Sequence, residues 1–271
     1  HPALPGTPTA PASVTYGDTQ ADTGAVSFNN IITDDLVTPA TATIVSPSNS
    51  TSGNLKASTY KQQVAADLTG DDAANYSFAG FTTATNNYTV NKLALTGAAI
   101  APSSSVYGSS LNPGAVSFTN IISSDVVTDT ASVDTSTLST AGKPIVGSYT
   151  QTTNALGGAD SGDYSFIGGF TTSTNNYTIS KLALTGAAIA GVTTTYGTPA
   201  GTGAVSFNNI ISLDVVTPAT ATIVSASYST SNNLKAASYN QTVSGSLSGD
   251  DAANYSFTGG FTRSTNNYTI S

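Results

Sequence analysis

Aspartate is the only acidic residue type in this chain, and its pairs are the first place to look for chemistry. Asp71-Asp72 and Asp250-Asp251 each stand in a Gly-Asp-Asp-Ala-Ala-Asn-Tyr segment. Adjacent carboxylates supply the hard oxygen ligands that calcium takes, with Asp34, Asp35 or Asp18 as further donors if the fold brings them near. The competing reading is a cap, in which the carboxylate accepts backbone N–H groups two or three residues on and starts a single helical turn. The absence of any Asp-x-Asp-x-Asp-Gly run favours the cap, so the cofactor expectation is none, with calcium as the alternative.

A second set of candidates is Asn-Tyr-Thr and Asn-Tyr-Ser. These are glycan acceptor sequons at Asn75, Asn87, Asn176, Asn254 and Asn267. The same tripeptide also suits a strand whose Tyr faces the core while its neighbours face water. Tyr16, Tyr107 and Tyr196, each before Gly, could stack on sugar or pack into the core with the hydroxyl at the edge. Catalysis lacks its parts: the one histidine is His1, there is no thiol, and no Gly-x-Ser-x-Gly occurs. The chain reads as a non-enzyme.

These residues are positioned by a unit written three times, over 1–91, 92–180 and 181–271. Tyr16-Gly17, Tyr107-Gly108 and Tyr196-Gly197 fall in register, as do the Gly-Ala-Val-Ser-Phe segments that begin at Gly24, Gly114 and Gly203. A catalytic site is usually needed once, whereas a stalk gains length with every copy. Triplication therefore points to structural or multivalent use.

Composition narrows the architecture. Thr, Ser, Asn, Asp and Gly dominate, and Glu is absent, which disfavours helices and favours strands and turns. Val26 and Phe28, Tyr76 and Phe78, and Tyr88 and Val90 alternate with polar residues at the period of half-buried strands. The spacing predicts six to eight short strands per copy, hence an all-β chain of three tandem Ig-like β-sandwich repeats arranged end to end as a rod. Phe28, Ile31, Tyr76, Phe78, Tyr88 and their equivalents should form the cores. At Asn86-Asn-Tyr-Thr-Val-Asn-Lys-Leu-Ala-Leu95 the last strand of one copy runs into the first of the next with no Gly/Ser tether. Pro5, Pro8 and Pro11 mark the opening of copy one as an edge, a loop or a junction. A net charge of −8 with seven basic residues opposes binding to nucleic acid or anionic lipid. No apolar run approaches a membrane span.

Three motifs in this order resemble the YDG and MBG repeats of filamentous-haemagglutinin-like bacterial exoproteins: the aromatic-Gly pair, the acidic turn before Asn-Tyr, and the closing Asn-Tyr-Thr-Ile/Val strand followed by Lys-Leu. The second copy departs from the pattern, with Ser109 after Tyr-Gly and Gly158-Ala-Asp-Ser-Gly-Asp-Tyr164 as its turn. The resemblance implies a secreted or cell-surface adhesin or biofilm-matrix protein in which such repeats form a stalk or spacer. The partners expected are the neighbouring repeats, with polysaccharide or a host surface as further candidates. A multivalent glycan- or host-protein-binding module and a fibre or surface-layer subunit are the alternatives.

Overall fold

A computed structural model describes residues 1–5, 9–19, 23–198 and 200–271. Among them the chain is all-β. The helical pieces are three one-turn 3-10 segments, Ala73–Asn75, Ser161–Asp163 and Ala252–Asn254, one per copy. None of the described helices is long and apolar enough to cross a membrane.

The strands are short and assemble into sheets of two or three. In copy one, Ala12–Thr15 lies parallel to Tyr88–Asn91, which takes Thr59–Tyr60 antiparallel on its other edge. The arrangement recurs with Ser103–Val106, Tyr177–Ser180 and Gly147–Tyr149, and again with Val192–Thr194, Tyr268–Ile270 and Ala237–Tyr239. An early strand and the last strand of a copy are thus parallel neighbours, which the long connection between them permits. The closing strand shows the alternation that its sequence predicts, with Tyr177 and Ile179 buried and Thr178 and Ser180 exposed.

Two recurrent glycines have steric reasons. A Cβ on Gly24, Gly114 or Gly203 would lie 1.7 to 1.8 Å from the carbonyl oxygen of Ala10, Ala101 or Ala190, so the Gly-Ala-Val-Ser-Phe segment must open on the residue without one. Gly17, Gly108 and Gly197 sit at φ +87°, +84° and +81°. Each is the third residue of a turn closed by a hydrogen bond, for example from the Asp18 N–H to the Thr15 carbonyl, and a positive φ is what that position demands. Proline acts as expected at Pro11: the strand begins at the next residue, whose N–H donates to the Asn87 carbonyl. Pro8 lies outside the described residues.

Packing groups the chain into two compact units. The first comprises His1–Ile100, Ala115–Ala131 and Thr153–Phe170, and the second Ala101–Gly114, Ser132–Thr152 and Thr171–Ser271. Copy two contributes to both. Within the first unit, one core gathers Leu4, Ala42, Val64, Tyr76 and Phe78. Another gathers Tyr16, Ile44, Leu55, Tyr60, Tyr88 and Val90 of copy one with Tyr164 of copy two, backed by Leu93, Leu95, Ile121 and Ile122. In the second unit, Tyr107, Tyr177 and Ile179 of copy two share a core with Leu184 and Tyr255 of copy three. Of the residues expected inside, the tyrosines are buried in every copy and Phe78 is buried in copy one, while its equivalents Phe166 and Phe257, and Phe28, Ile31 and their equivalents, are half-buried beside them. Phe28 and Phe78 meet edge to face at 5.0 Å, Phe118 and Phe166 at 4.9 Å, and Phe207 and Phe257 at 4.7 Å.

Candidate functional site: a carboxylate joint between copies

A polar constellation in the first unit lies where copy two meets copy one. The turn Ile122–Asp125 holds Ser124 at φ 77°, and its closing bond runs from the Asp125 N–H to the Ile122 carbonyl. The next carboxylate, Asp125, is thereby turned onto copy one. Its Oδ2 accepts the hydroxyls of Tyr16 and Tyr164, each at 2.5 Å, and its Oδ1 accepts the Ser52 N–H at 3.1 Å. The two rings meet edge to face, 5.3 Å apart at 72°. The Tyr16 hydroxyl also lies 2.6 Å from Ser50 Oγ, and that of Tyr164 accepts the Ile122 N–H at 3.0 Å.

Two more groups of copy two complete the contact. Asp160 bridges the boundary, accepting the Val126 N–H at 2.8 Å in its own copy and the Thr51 N–H at 3.0 Å in copy one. Asp163 accepts the Ala57 N–H at 2.7 Å. Both are almost fully buried, at 1% and 3% exposure. A 2.3 Å approach of Ile122 Cδ1 to the position a Gly17 Cβ would occupy shows how closely the apolar edge is seated.

The second unit repeats the joint between copies two and three. Asp214 Oδ2 accepts Tyr107 at 2.6 Å and Tyr255 at 2.5 Å, and Oδ1 accepts the Ala141 N–H at 3.0 Å. Asp251 accepts the N–H groups of Val215 and Thr140 at 2.8 and 3.1 Å. Asn254 Oδ1 takes the Val146 N–H at 2.9 Å, where the first joint uses Asp163. Ile211 Cδ1 seats against Gly108 as Ile122 does against Gly17.

Electrostatics follows from these contacts. Burial opposes ionisation of Asp125, but the hydrogen bonds from Ser52, Tyr16 and Tyr164 outweigh it and leave its carboxyl below the usual range. Asp160 is lowered by the N–H groups of Val126 and Thr51, and Asp251 by those of Val215 and Thr140 against an opposing effect of burial. Asp163 is raised, because burial dominates over its single N–H bond from Ala57. Burial and the bond to Asp214 push Tyr107 up to about 12, and burial with the bond to Asp125 raises Tyr16.

The residues singled out from sequence fall as follows. Asp72, Asp160 and Asp251 precede the 3-10 turns, but none caps its own turn through the side chain. The carboxylate instead reaches back to the loop of the recurrent Asp, to Leu36, Val126 or Val215. This corrects the capping expectation: a one-turn 3-10 segment asks less of a cap than the loop N–H groups it lies beside. Asp71 and Asp250 are exposed, and no group of three Asp or His side chains gathers around a common point among the described residues.

Four of the five sequon asparagines, Asn87, Asn176, Asn254 and Asn267, hold structural bonds through their side chains. Asn87 Nδ2 donates to the Thr9 carbonyl and its Oδ1 accepts from Gln62, while Asn176 accepts from Gln151 and Asn267 donates to Ile189. Asn254 is buried in the joint, and Asn75, at the same position in copy one, is exposed. Tyr16 and Tyr107 are buried, whereas Tyr196 is exposed.

Sequence reasoning missed the two hubs. Gln62, Gln151 and Gln241 have no exposure and accept the N–H of the crowded Gly24, Gly114 and Gly203. Asp35, Asp125 and Asp214 are the other. The signal was register: of the aspartates, those at this position and at Asp72, Asp160 and Asp251 recur in every copy, while Asp18, Asp34 and Asp71 do not.

Comparisons with protein-family models, curated proteins and solved structures found no match for this chain.

Proposed function

We propose that the chain is a non-enzymatic spacer segment of a secreted or cell-surface bacterial adhesin or matrix protein, built of Ig-like repeats joined directly one to the next. One observation carries the reading. Of the polar side chains that recur in every copy, the Tyr of Tyr-Gly and the two register-keeping aspartates are engaged where one copy meets the next within each unit. A ligand-binding repeat would be expected to turn its recurrent polar groups toward solvent. Here they close a contact of charge-assisted hydrogen bonds, the stronger kind, and the copies share a core across the same boundary. Such a segment transmits load and gains length with each copy. The resemblance to stalk repeats of exported adhesins supplies the location and the partners, which are the flanking parts of the parent protein.

Two measurements test this. A glycan array and a cell-binding assay on the chain should give no signal above a charge-matched control. Pulled by its ends in a force spectrometer, the chain should unfold in discrete high-force steps, with Asp125→Ala lowering the force of the steps from the first unit. Saturable binding to a defined glycan, blocked by substitutions outside the joints, would replace the spacer reading by a lectin-like one.

A further inference from the structure

The path that tension would take through a copy follows from its strand order. In copy two the chain enters a three-stranded sheet by Ser103–Val106 and leaves it by Tyr177–Ser180, and these strands lie side by side and parallel, Ser103 opposite Tyr177 and Val106 opposite Ser180. Tension along the chain pulls the incoming strand by its Ser103 end and the closing strand by its Ser180 end, which are opposite ends of one ladder. The strands are driven past each other, so every rung between them is strained together and their resistances add. A pair pulled apart from one end, as an antiparallel hairpin is, meets the force one rung at a time.

The same register recurs in copies one and three, and hydrogen bonds just outside the strands lengthen each ladder. At one end the N–H of Ala12, Ser103 or Val192 donates to the carbonyl of Asn87, Asn176 or Asn267, at 3.0, 3.1 and 2.9 Å. At the other the N–H of Tyr16, Tyr107 or Tyr196 donates to the carbonyl of Asn91, Ser180 or Ser271, at 2.8 Å in all three. The closing strand is gripped further. In copy two it is the centre of its sheet, with Gly147–Tyr149 antiparallel on its other edge. Its Tyr177 and Ile179 are buried, so sliding must also drag them through a close-packed core. Only Lys181 separates it from Leu182–Ala183, which pairs in parallel again, with Tyr255–Ser256, and the Leu184 N–H adds a bond to the Ser256 carbonyl at 2.8 Å. Leu93–Ala94, one residue past the closing strand of copy one, pairs likewise with Tyr164–Ser165. The chain is thus held by a parallel pair on both sides of each crossing, and Tyr164 and Tyr255 are the residues bonded to Asp125 and Asp214.

We propose that the parallel pair of incoming and closing strands is a mechanical clamp, by which each copy bears tension along the chain in shear rather than by peeling. The clamp deepens the spacer reading and rests on it for the source of the tension. It also gives the joints a mechanical part: the tyrosine whose N–H closes the far end of a ladder, Tyr16 or Tyr107, is fixed through its hydroxyl to Asp125 or Asp214 of the following copy.

The direction of pull tests it. The chain has no cysteine, so two introduced thiols take the handles of a force spectrometer at chosen points of the full chain. Pro102→Cys with Lys181→Cys grips copy two at opposite ends of the ladder and shears it, whereas Ser109→Cys with Lys181→Cys grips it at one end and peels the closing strand from Ser180. All three positions are exposed, so both double variants should melt like wild type. At the same loading rate, shear should need a several-fold higher force than peeling. Equal forces in the two directions, or a lower force in shear, would overturn the clamp. Neither pull involves a ligand, so a failed clamp leaves the spacer reading to its own binding tests, and a glycan found by those tests leaves the ratio of the two forces unchanged.

Discussion

Tyr16 and Tyr196 occupy the same place in their copies, in the same turn with the same glycine behind them, yet one is buried and the other is 45% exposed. The local sequence cannot account for this, since both side chains leave the backbone at the same point. What differs is the presence of an inserting face: within the first unit, Asp125, Tyr164 and Ile122 lie over Tyr16-Gly17. The comparison teaches that, in this repeat, burial is conferred by the following copy. A 90-residue module of this kind with no disulfide has a small core of its own, and sharing one across the boundary adds to it.

The largest effect should come from breaking the comparison at the ring. Tyr16→Ala or Tyr107→Ala removes a buried aromatic and should cost about 3 to 5 kcal/mol in denaturant titration, while Tyr196→Ala should stay within about 0.5 kcal/mol. Equal losses at the three positions would mean that the ring serves its own copy alone.

Next comes the carboxylate. Asp125→Ala leaves two buried hydroxyls and the Ser52 N–H without their acceptor, and should cost about 2 to 4 kcal/mol, whereas Asp35→Ala strands only the Tyr76 hydroxyl and should cost about 1 kcal/mol. The pH dependence has a definite sign. Asp125, Asp160 and Asp251 are lowered on folding, so the stability they add is fully present above a carboxylate's ordinary value near about pH 4 and disappears as pH falls through the depressed values. The raised tyrosines act at the other end: the contribution of Tyr16 and Tyr107 is full below about pH 10 and is lost as pH rises through their higher folded values, about 12 for Tyr107. Hydrogen exchange at the Thr51, Ser52, Thr140 and Ala141 N–H groups, followed against pH, should show protection falling at both ends.

The smallest effect sharpens the contrast between the two joints. Asp163 stands where copies one and three have Asn, and burial raises its carboxyl. Asp163→Asn keeps the Oδ1 acceptor for Ala57 and removes the buried charge. It should raise stability at pH 7 by up to about 1 kcal/mol, read as a melting shift of a few degrees at most, and the gain should vanish below about pH 4, where the carboxyl is already neutral. A loss at pH 7 would show that the charge itself holds the joint.

Much of the copy was legible in its residues. The strands around Tyr88 and Tyr177, the turn that needs Gly17 and the lack of helix follow from alternation, from φ preferences and from an inventory without Glu, all of which act over a few residues. The triplication and the absence of a tether at Lys92 and Lys181 were equally open to reading. The role of the aspartates was not. By sequence Asp72 caps its own turn, because its nearest N–H groups along the chain are there, but the fold offers it the N–H of Leu36 instead. The asparagine of the closing strand reads as a glycan acceptor until Gln62 and Thr9 are brought to its side chain.

What the sequence determined by itself is therefore local and periodic: strand faces, turn types and the recurrence of the same groups every 90 residues or so. What only the tertiary structure decided is which of those groups meet. Asp125 reaches Tyr16 across 109 residues, and Asp160 reaches Thr51 across the same span. Hydrogen bonds and ring contacts act over a few ångströms in space and carry no mark of sequence distance, so one motif can close a joint in two copies and stand exposed in the third.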